Sequence, residues 1–213
     1  MTGSESGIDL SLANIWKSWH NFRKGKRNST AIITFEYYLE KNLHQLYEDL
    51  NDGSYQHGGY ERFVVHDTKP REIAVANVRD RLVHRLLYDY LVPIWDKTFI
   101  YDAWSCREGK GLQAGIERAQ HFMRRYPHAW VWRADIKKMF DSIDHGIMKQ
   151  LLRRRVHDPR ALAVLDKVID SYQHELASKQ ASKQASKQAS KQARATDWQF
   201  DQPDHVEHLP QRV

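Results

Sequence analysis

The sequence predicts an α+β fold, mostly helical, with a short antiparallel hairpin and one further strand. Three observations carry this: apolar residues recur at helical spacing in long stretches, two β-rich runs flank a turn, and a short apolar run leads into an aspartate. Phe35, Leu39, Leu43, Leu46 and Leu50 line one face of an amphipathic helix that stops near Asp52-Gly53. Residues 62–66 and 72–76 are the β-rich runs, and Asp67-Thr68-Lys69-Pro70 between them has the composition of a turn, so they read as a hairpin. A second helix is expected from 79 to 91, burying Leu82, Val83, Leu86 and Leu87, with Pro93 near its exit. Another follows Gly109-Lys110-Gly111 and carries Ile116, Ala119, Phe122 and Met123 on one side. Residues 129–132 read as a buried strand. A helix over 147–155 comes next, and Asp158-Pro159 caps a last one whose apolar face is Leu162, Leu165, Ile169 and Tyr172.

At 213 residues and 41% hydrophobic, the chain has enough apolar material for one substantial core. The formal charge is +6, and Lys179, Lys183, Lys187 and Lys191 of one repeat supply four of those charges. Basicity elsewhere is therefore local, at 23–27, 79–85, 124–125 and 153–155, clusters that suit phosphate backbones or solvated helix faces equally. Cys106 is the single cysteine, so no intrachain disulfide forms and a reducing compartment is expected. The N-terminus lacks a signal-peptide core, and no run approaches the roughly 20 apolar residues of a membrane span. A cytoplasmic protein is expected. The first seven residues, small and polar, are expected to be disordered.

The chemistry concentrates in Trp132-Arg-Ala-Asp-Ile-Lys-Lys-Met-Phe-Asp-Ser-Ile-Asp-His145. Asp135 stands at the end of the expected strand, where a carboxylate holds a divalent cation. The segment resembles the first palm motif of bacterial reverse transcriptases. Lys69-Pro-Arg-Glu-Ile-Ala-Val-Ala-Asn-Val-Arg-Asp-Arg81 is similar to that family's fingers segment, and Tyr101-Asp-Ala-Trp-Ser-Cys-Arg-Glu-Gly-Lys-Gly111 to its next block. From about 35 to 172 the chain thus resembles the fingers and partial palm of retron, group II intron and diversity-generating retroelement polymerases. The implied organisation is an N-terminal extension (1–34), a fingers-like region (35–128), a partial palm (129–175) and a low-complexity tail (176–213).

The resemblance implies an RNA template, a DNA primer, deoxynucleoside triphosphates and Mg2+. Asp135 would be the catalytic metal ligand, with a helix-capping aspartate as the plain alternative. Phe140 would lie under the nucleotide sugar and exclude a 2′-hydroxyl; the alternative is a core phenylalanine. Lys69, Arg71 and Arg81 match basic fingers positions that hold the triphosphate. Arg107 and Lys110 flank a glycine-bearing turn suited to template contact, or to no more than a surface turn. Asp141 and Asp144 read as structural, Asp144 as a helix cap. Trp16, Trp19 and Phe22 precede Arg23-Lys-Gly-Lys-Arg27, as a single-strand clamp or as a helix docked on the fingers.

Two-metal phosphoryl transfer needs several carboxylates around ions roughly 3.5–4 Å apart. The family's second source is a Tyr-X-Asp-Asp turn, and no Asp-Asp pair occurs in this sequence. Nor does the approach to the next palm block, which resembles Gly-Leu-Pro-X-Gly-Asn-Leu-Thr-Ser-Gln. Ala-Ser-Lys-Gln stands there instead, four times from Ala177 to Gln192, with no apolar face to bury. That tetrapeptide can be written GCA AGC AAG CAA, a repeat of the four-base unit GCAA. Because four is not a multiple of three, one copy gained or lost changes the downstream reading frame. Residues 194–213 can be back-translated so that, read one base later, they give Gly-Leu-Pro-Thr-Gly-Asn-Leu-Thr-Ser-Gln-Thr-Met-Ser-Asn-Ile-Tyr-Leu-Asn-Ala. On this reading the tail is out of frame, disordered, and its His205 and His208 are no metal site.

The leading expectation is a reverse-transcriptase fragment, inactive alone. A non-catalytic RNA-binding protein, a frameshift product without function, and a metal-dependent nuclease built on Asp135, Asp141 and Asp144 are the competing readings.

Overall fold

The first helix starts at Ser11, whose hydroxyl accepts the Asn14 amide at 3.3 Å, and the spacing of Ile15, Ser18, Trp19 and Phe22 then buries one face of α1 (Leu12–Phe22). The computed structural model describes residues 7–26, 29–66, 70–136, 139–172 and 184. Lys69 and the repeat with its tail lie outside them, as do the first six residues. The chain divides into two compact units, Met1–Ser171 and Tyr172–Val213, and of the second only 172 and 184 are described.

The stretch read as a single helix is two, α2 (Thr30–Tyr37) and α3 (Leu39–Asn51). The backbone turns at Tyr38 (φ −114°, ψ 33°), and the Asn42 side chain donates to the Phe35 carbonyl at 3.0 Å, occupying an acceptor near the end of α2. The break leaves the inward spacing of Leu43, Leu46 and Leu50 intact.

The expected hairpin forms and is slightly longer than its β-rich runs. β1 (Tyr60–His66) pairs antiparallel with β2 (Pro70–Ala76), in register from Tyr60↔Ala76 to His66↔Pro70. A two-stranded ribbon is marginal by itself. This one is anchored at its base, where Ala76 is buried and the Tyr60 hydroxyl lies 2.9 Å from Ser171 Oγ. α4 (Val78–Trp95) begins at the end of β2, carries Leu82, Val83, Leu86 and Leu87 into the core, and runs through Pro93 rather than stopping there. A 3-10 turn, Asp96–Thr98, follows it.

Beyond α5 (Leu112–Arg125) come the short α6 (Met139–Ser142), α7 (His145–Arg153) and α8 (159–172). Asp144 caps α7 by accepting the Ile147 amide at 2.9 Å, the structural role expected of it. Asp158 caps α8 by accepting the Arg160 amide at 2.8 Å, and its other oxygen accepts the Ile8 amide at 2.5 Å. That second bond ties the N-terminal segment to α8. One core therefore runs from Ile8, Leu10 and Trp19 through Leu43, Leu46 and Leu82 to Val164 and Leu165, with no gap at residue 34.

Trp19 is 0% exposed at the centre of that core, with its ring 5.0 Å from Phe35. α1 is thus a docked helix, and its inner aromatics are not available to stack on nucleic acid. Trp19→Ala is expected to cost about 3–5 kcal/mol, since removing a buried aromatic loses its transfer energy and leaves a cavity. Urea denaturation of the two proteins checks this.

One expectation is corrected. Residues 129–136 form neither helix nor strand, and Trp130 and Trp132 are 101% and 89% exposed. An apolar run becomes a buried strand only where neighbours take its backbone hydrogen bonds and cover its side chains. Among the described residues the hairpin is the sheet, and no strand lies beside 129–132. α5 and α7 likewise bury no residue, leaving Leu112, Ile116, Met123, Ile147 and Leu151 in solvent.

Candidate functional site

Asp135, the leading candidate, sits exposed in the coil 129–136. Phe140 belongs to α6. Among the described residues no three His, Cys, Asp or Glu side chains group as a metal site. The described residues therefore do not complete a set of Mg2+ ligands around Asp135.

The basic fingers positions part company. Arg71 is exposed on β2, opposite Val65. Arg81, near the start of α4, leans instead on α1, with its guanidinium carbon 5.7 Å from the Phe22 ring centre and its Nε buried without a hydrogen-bond partner among the described residues.

Arg107 organises the loop after α4. Its Nε donates to Asp96 Oδ1 at 2.7 Å; the terminal nitrogens donate to the carbonyls of Ile100 (3.1 Å), Ala103 (3.2 Å) and Asp96 (3.1 Å), and to Asp96 Oδ2 at 3.3 Å. Its hydrogen bond holds the Asp96 carboxyl below the usual carboxylate range. Lys110 folds over the same loop: its Nζ donates to the Tyr101 carbonyl at 2.8 Å and lies 3.6 Å from the Tyr101 ring centre and 4.2 Å from that of Trp104. Gly109, at φ +68°, makes the turn that lets Lys110 reverse. Arg107 and Lys110 thus shape the loop from inside. Arg107→Ala should release it, seen as faster amide exchange and protease cleavage over 96–111 with α1 and α3 unchanged.

The most elaborate polar arrangement was not singled out by the sequence. Asp80, in the first turn of α4, is 0% exposed. Its amide is capped by Asn77 Oδ1 at 2.9 Å; its carboxylate accepts the Tyr55 hydroxyl at 2.8 Å and the Gly58 amide at 2.8 Å. Arg79 approaches it at 3.7 Å, bonds Asp49 and crosses the Tyr55 ring 4.9 Å from its centre. Burial, and then the neighbouring Asp80 charge, push the Tyr55 phenol far up. The His57 ring stacks between Tyr60 and His84 and joins His84 Nε2 to Nε2 at 3.1 Å. His57 Nδ1 lies 2.7 Å from the Gly58 carbonyl, which can only accept, so Nδ1 carries the hydrogen. At Gly58 a Cβ would stand 2.5 Å from Asn77 Nδ2 and 3.0 Å from Asp80 Oδ2. These residues lock the hairpin base to α3 and α4. The visible signal was Asn77-X-X-Asp80, the spacing of a capping box.

No family model matches the chain. It is similar to the protein YkfC of Escherichia coli, 26% identical over 136 residues, which are 62% of this chain and 36% of YkfC. It is also similar to two Saccharomyces cerevisiae proteins. The COX1/OXI3 intron 2 protein is 24% identical over 151 residues, 70% of this chain and 17% of that protein. The COX1/OXI3 intron 1 protein is 25% identical over 99 residues, 46% of this chain and 12% of that protein. The chain spans about a third or less of the length of these relatives, and its likeness to intron proteins is consistent with a retroelement-related protein. No helix among the described residues is long and apolar enough to cross a membrane.

Proposed function

We propose that the chain is the front portion of a reverse transcriptase, the fingers and the opening of the palm, and that it does not polymerise by itself. One observation carries this reading: the in-frame segment 132–145 resembles a first palm motif, and the tail admits codons that, read one base later, spell a sequence resembling the next palm block at the place where it is missing. The likeness to proteins named for introns supports it independently.

In the completed polymerase Asp135 would be one carboxylate of a two-Mg2+ site, and Phe140 would lie under the sugar of the incoming deoxynucleotide. Lys69, Arg71 and Arg81 would meet its triphosphate, and the Arg107 and Lys110 loop would face the RNA template. The aromatic and apolar groups exposed over 129–136, α5 and α7 are the surface a continuing palm would cover. Primer extension on an RNA template with Mg2+ and deoxynucleotides tests the proposal, and robust synthesis by the 213-residue chain would refute it.

A specific observation favours a second reading of the same chain, as the out-of-frame product of a gene that also yields a longer form. Ala-Ser-Lys-Gln is among the few tetrapeptides that a repeated four-base unit encodes. Sequencing the gene tests this, and codons for 177–192 that do not form a GCAA tract would end it.

A further inference from the structure

A cleft of about 840 Å³, whose lining does not include Asp135, lies between α1, the C-terminal half of α4 with the 3-10 turn after it, and the 154–157 turn. Five basic side chains line it: Lys17 of α1, Lys97 of the 3-10 turn, and Arg154, Arg155 and His157. None makes an ion pair with a described residue; Arg155 rests only on the Trp95 ring, 5.4 Å from its centre. Their neighbours Lys149 and Arg153, by contrast, are paired with Asp170 and Asp166.

Two carboxylates share the cleft, Asp9 within electrostatic reach of Lys17, and each is bonded by another group. Asp89 is held by Arg85 at 2.8 and 3.0 Å, and Asp9 is turned to its own backbone, accepting the Ser11 amide at 2.9 Å. Leu86, Pro93 and Ile94 form an apolar wall that keeps the local dielectric low and concentrates the positive field. The walls are fixed, because Ile8 is bonded to the Asp158 cap and Ser18 is buried in α1.

We infer that this cleft binds the phosphodiester backbone of RNA, independently of base sequence and outside the polymerase centre. Several cations without ion-pair partners on a rigid concave wall suit a run of phosphates, with a single tyrosine, Tyr90, in the lining rather than a stack of aromatics to select bases. The inference stands on the cleft's charge and does not need the polymerase reading to be right.

The test is fluorescence anisotropy of a labelled single-stranded RNA with the full chain across a salt series. The variant Lys17→Gln/Lys97→Gln/Arg154→Gln/Arg155→Gln is expected to bind at least tenfold more weakly near 50 mM salt, and the slope of log affinity against log salt should fall by roughly 0.7 for each phosphate that is no longer neutralised. Arg154→Lys/Arg155→Lys should keep both slope and affinity, and circular dichroism should show the quadruple variant folded. Wild-type binding and slope in the folded quadruple variant would overturn the inference. So would absence of RNA binding by the wild type, or displacement of RNA by equimolar inorganic triphosphate, which would make the ligand a small polyphosphate. Arg71→Gln separates this from the proposed function: loss of RNA binding there with the cleft variant unaffected would place the RNA on the hairpin instead.

Discussion

On the proposed reading, deleting one GCAA unit from the gene, or adding two, should convert an inactive product into a polymerase. Either change moves the reading frame so that the codons after the repeat start one base later, and translation then continues Gly-Leu-Pro-Thr-Gly-Asn-Leu-Thr-Ser-Gln in place of residues 194–203. The 213-residue chain contributes Asp135 but no Asp-Asp pair, so it lacks the second set of carboxylates that two-metal transfer requires. Primer extension should therefore be at background for this chain and readily measured for the frame-restored protein. Within that longer protein, Asp135→Ala should lower turnover by about 10³ or more, several kcal/mol of transition-state stabilisation. Activity that survives Asp135→Ala would sink the assignment of that residue, whereas a frame-restored protein that is inert from the outset would sink the whole reading.

The same change has a structural readout. Trp130, Trp132, Ile136 and the apolar side of α5 are exposed in the present chain, a patch of the kind soluble proteins ordinarily cover. The frame-restored protein should bind less of a hydrophobic dye per mole, and tryptophan emission should shift to shorter wavelength.

How much of this could be read in the amino acids depends on where the information lay. α4 and α8 were legible because their apolar residues recur at helical spacing, and α8 also because its cap, Asp158, is a local signal. The hairpin was legible because its turn and its two runs are contiguous. The break at Tyr38 was not, since Leu39 and Leu43 keep the periodicity across it. The expected strand at 129–132 failed for the opposite reason: apolar composition states what a segment buries if partners arrive, and among the described residues none does. For the candidate site, Asp135 and the basic positions were found by pattern, but which cations are committed inside the fold was hidden. Arg107 and Lys110 look like free surface charges in Arg107-Glu-Gly-Lys110, and only the folded loop turns them inward. Asp80 was concealed within a basic cluster, its burial depending on Tyr55 and Gly58, which are more than twenty positions away.

That concealed aspartate makes a stability prediction as large as the one for Trp19. Asp80→Ala should destabilise the fold by about 3–5 kcal/mol, because it orphans the buried Tyr55 hydroxyl and the Gly58 amide and leaves Arg79 facing an empty place. Asp80→Asn keeps the shape and one acceptor oxygen, so it should cost less, and Gly58→Ala should also destabilise by forcing Asn77 or Asp80 to move. The adjoining histidines add a pH dependence of definite sign. Burial, then the proximity of His57, lower the His84 pKa below its ordinary value of 6.5. The unfolded chain therefore takes up this proton at higher pH than the native one. Stability is retained above 6.5, declines as pH falls from there to the lowered native value, and declines no further from this group below it. Asp9, Asp49, Asp52 and Asp96, whose native pKa values lie below 3.8, act in a separate, more acidic window. Thermal unfolding between about pH 7.5 and 5 should thus show a falling Tm that flattens in His84→Gln, and an unchanged slope in that variant would show that His84 does not couple protonation to folding.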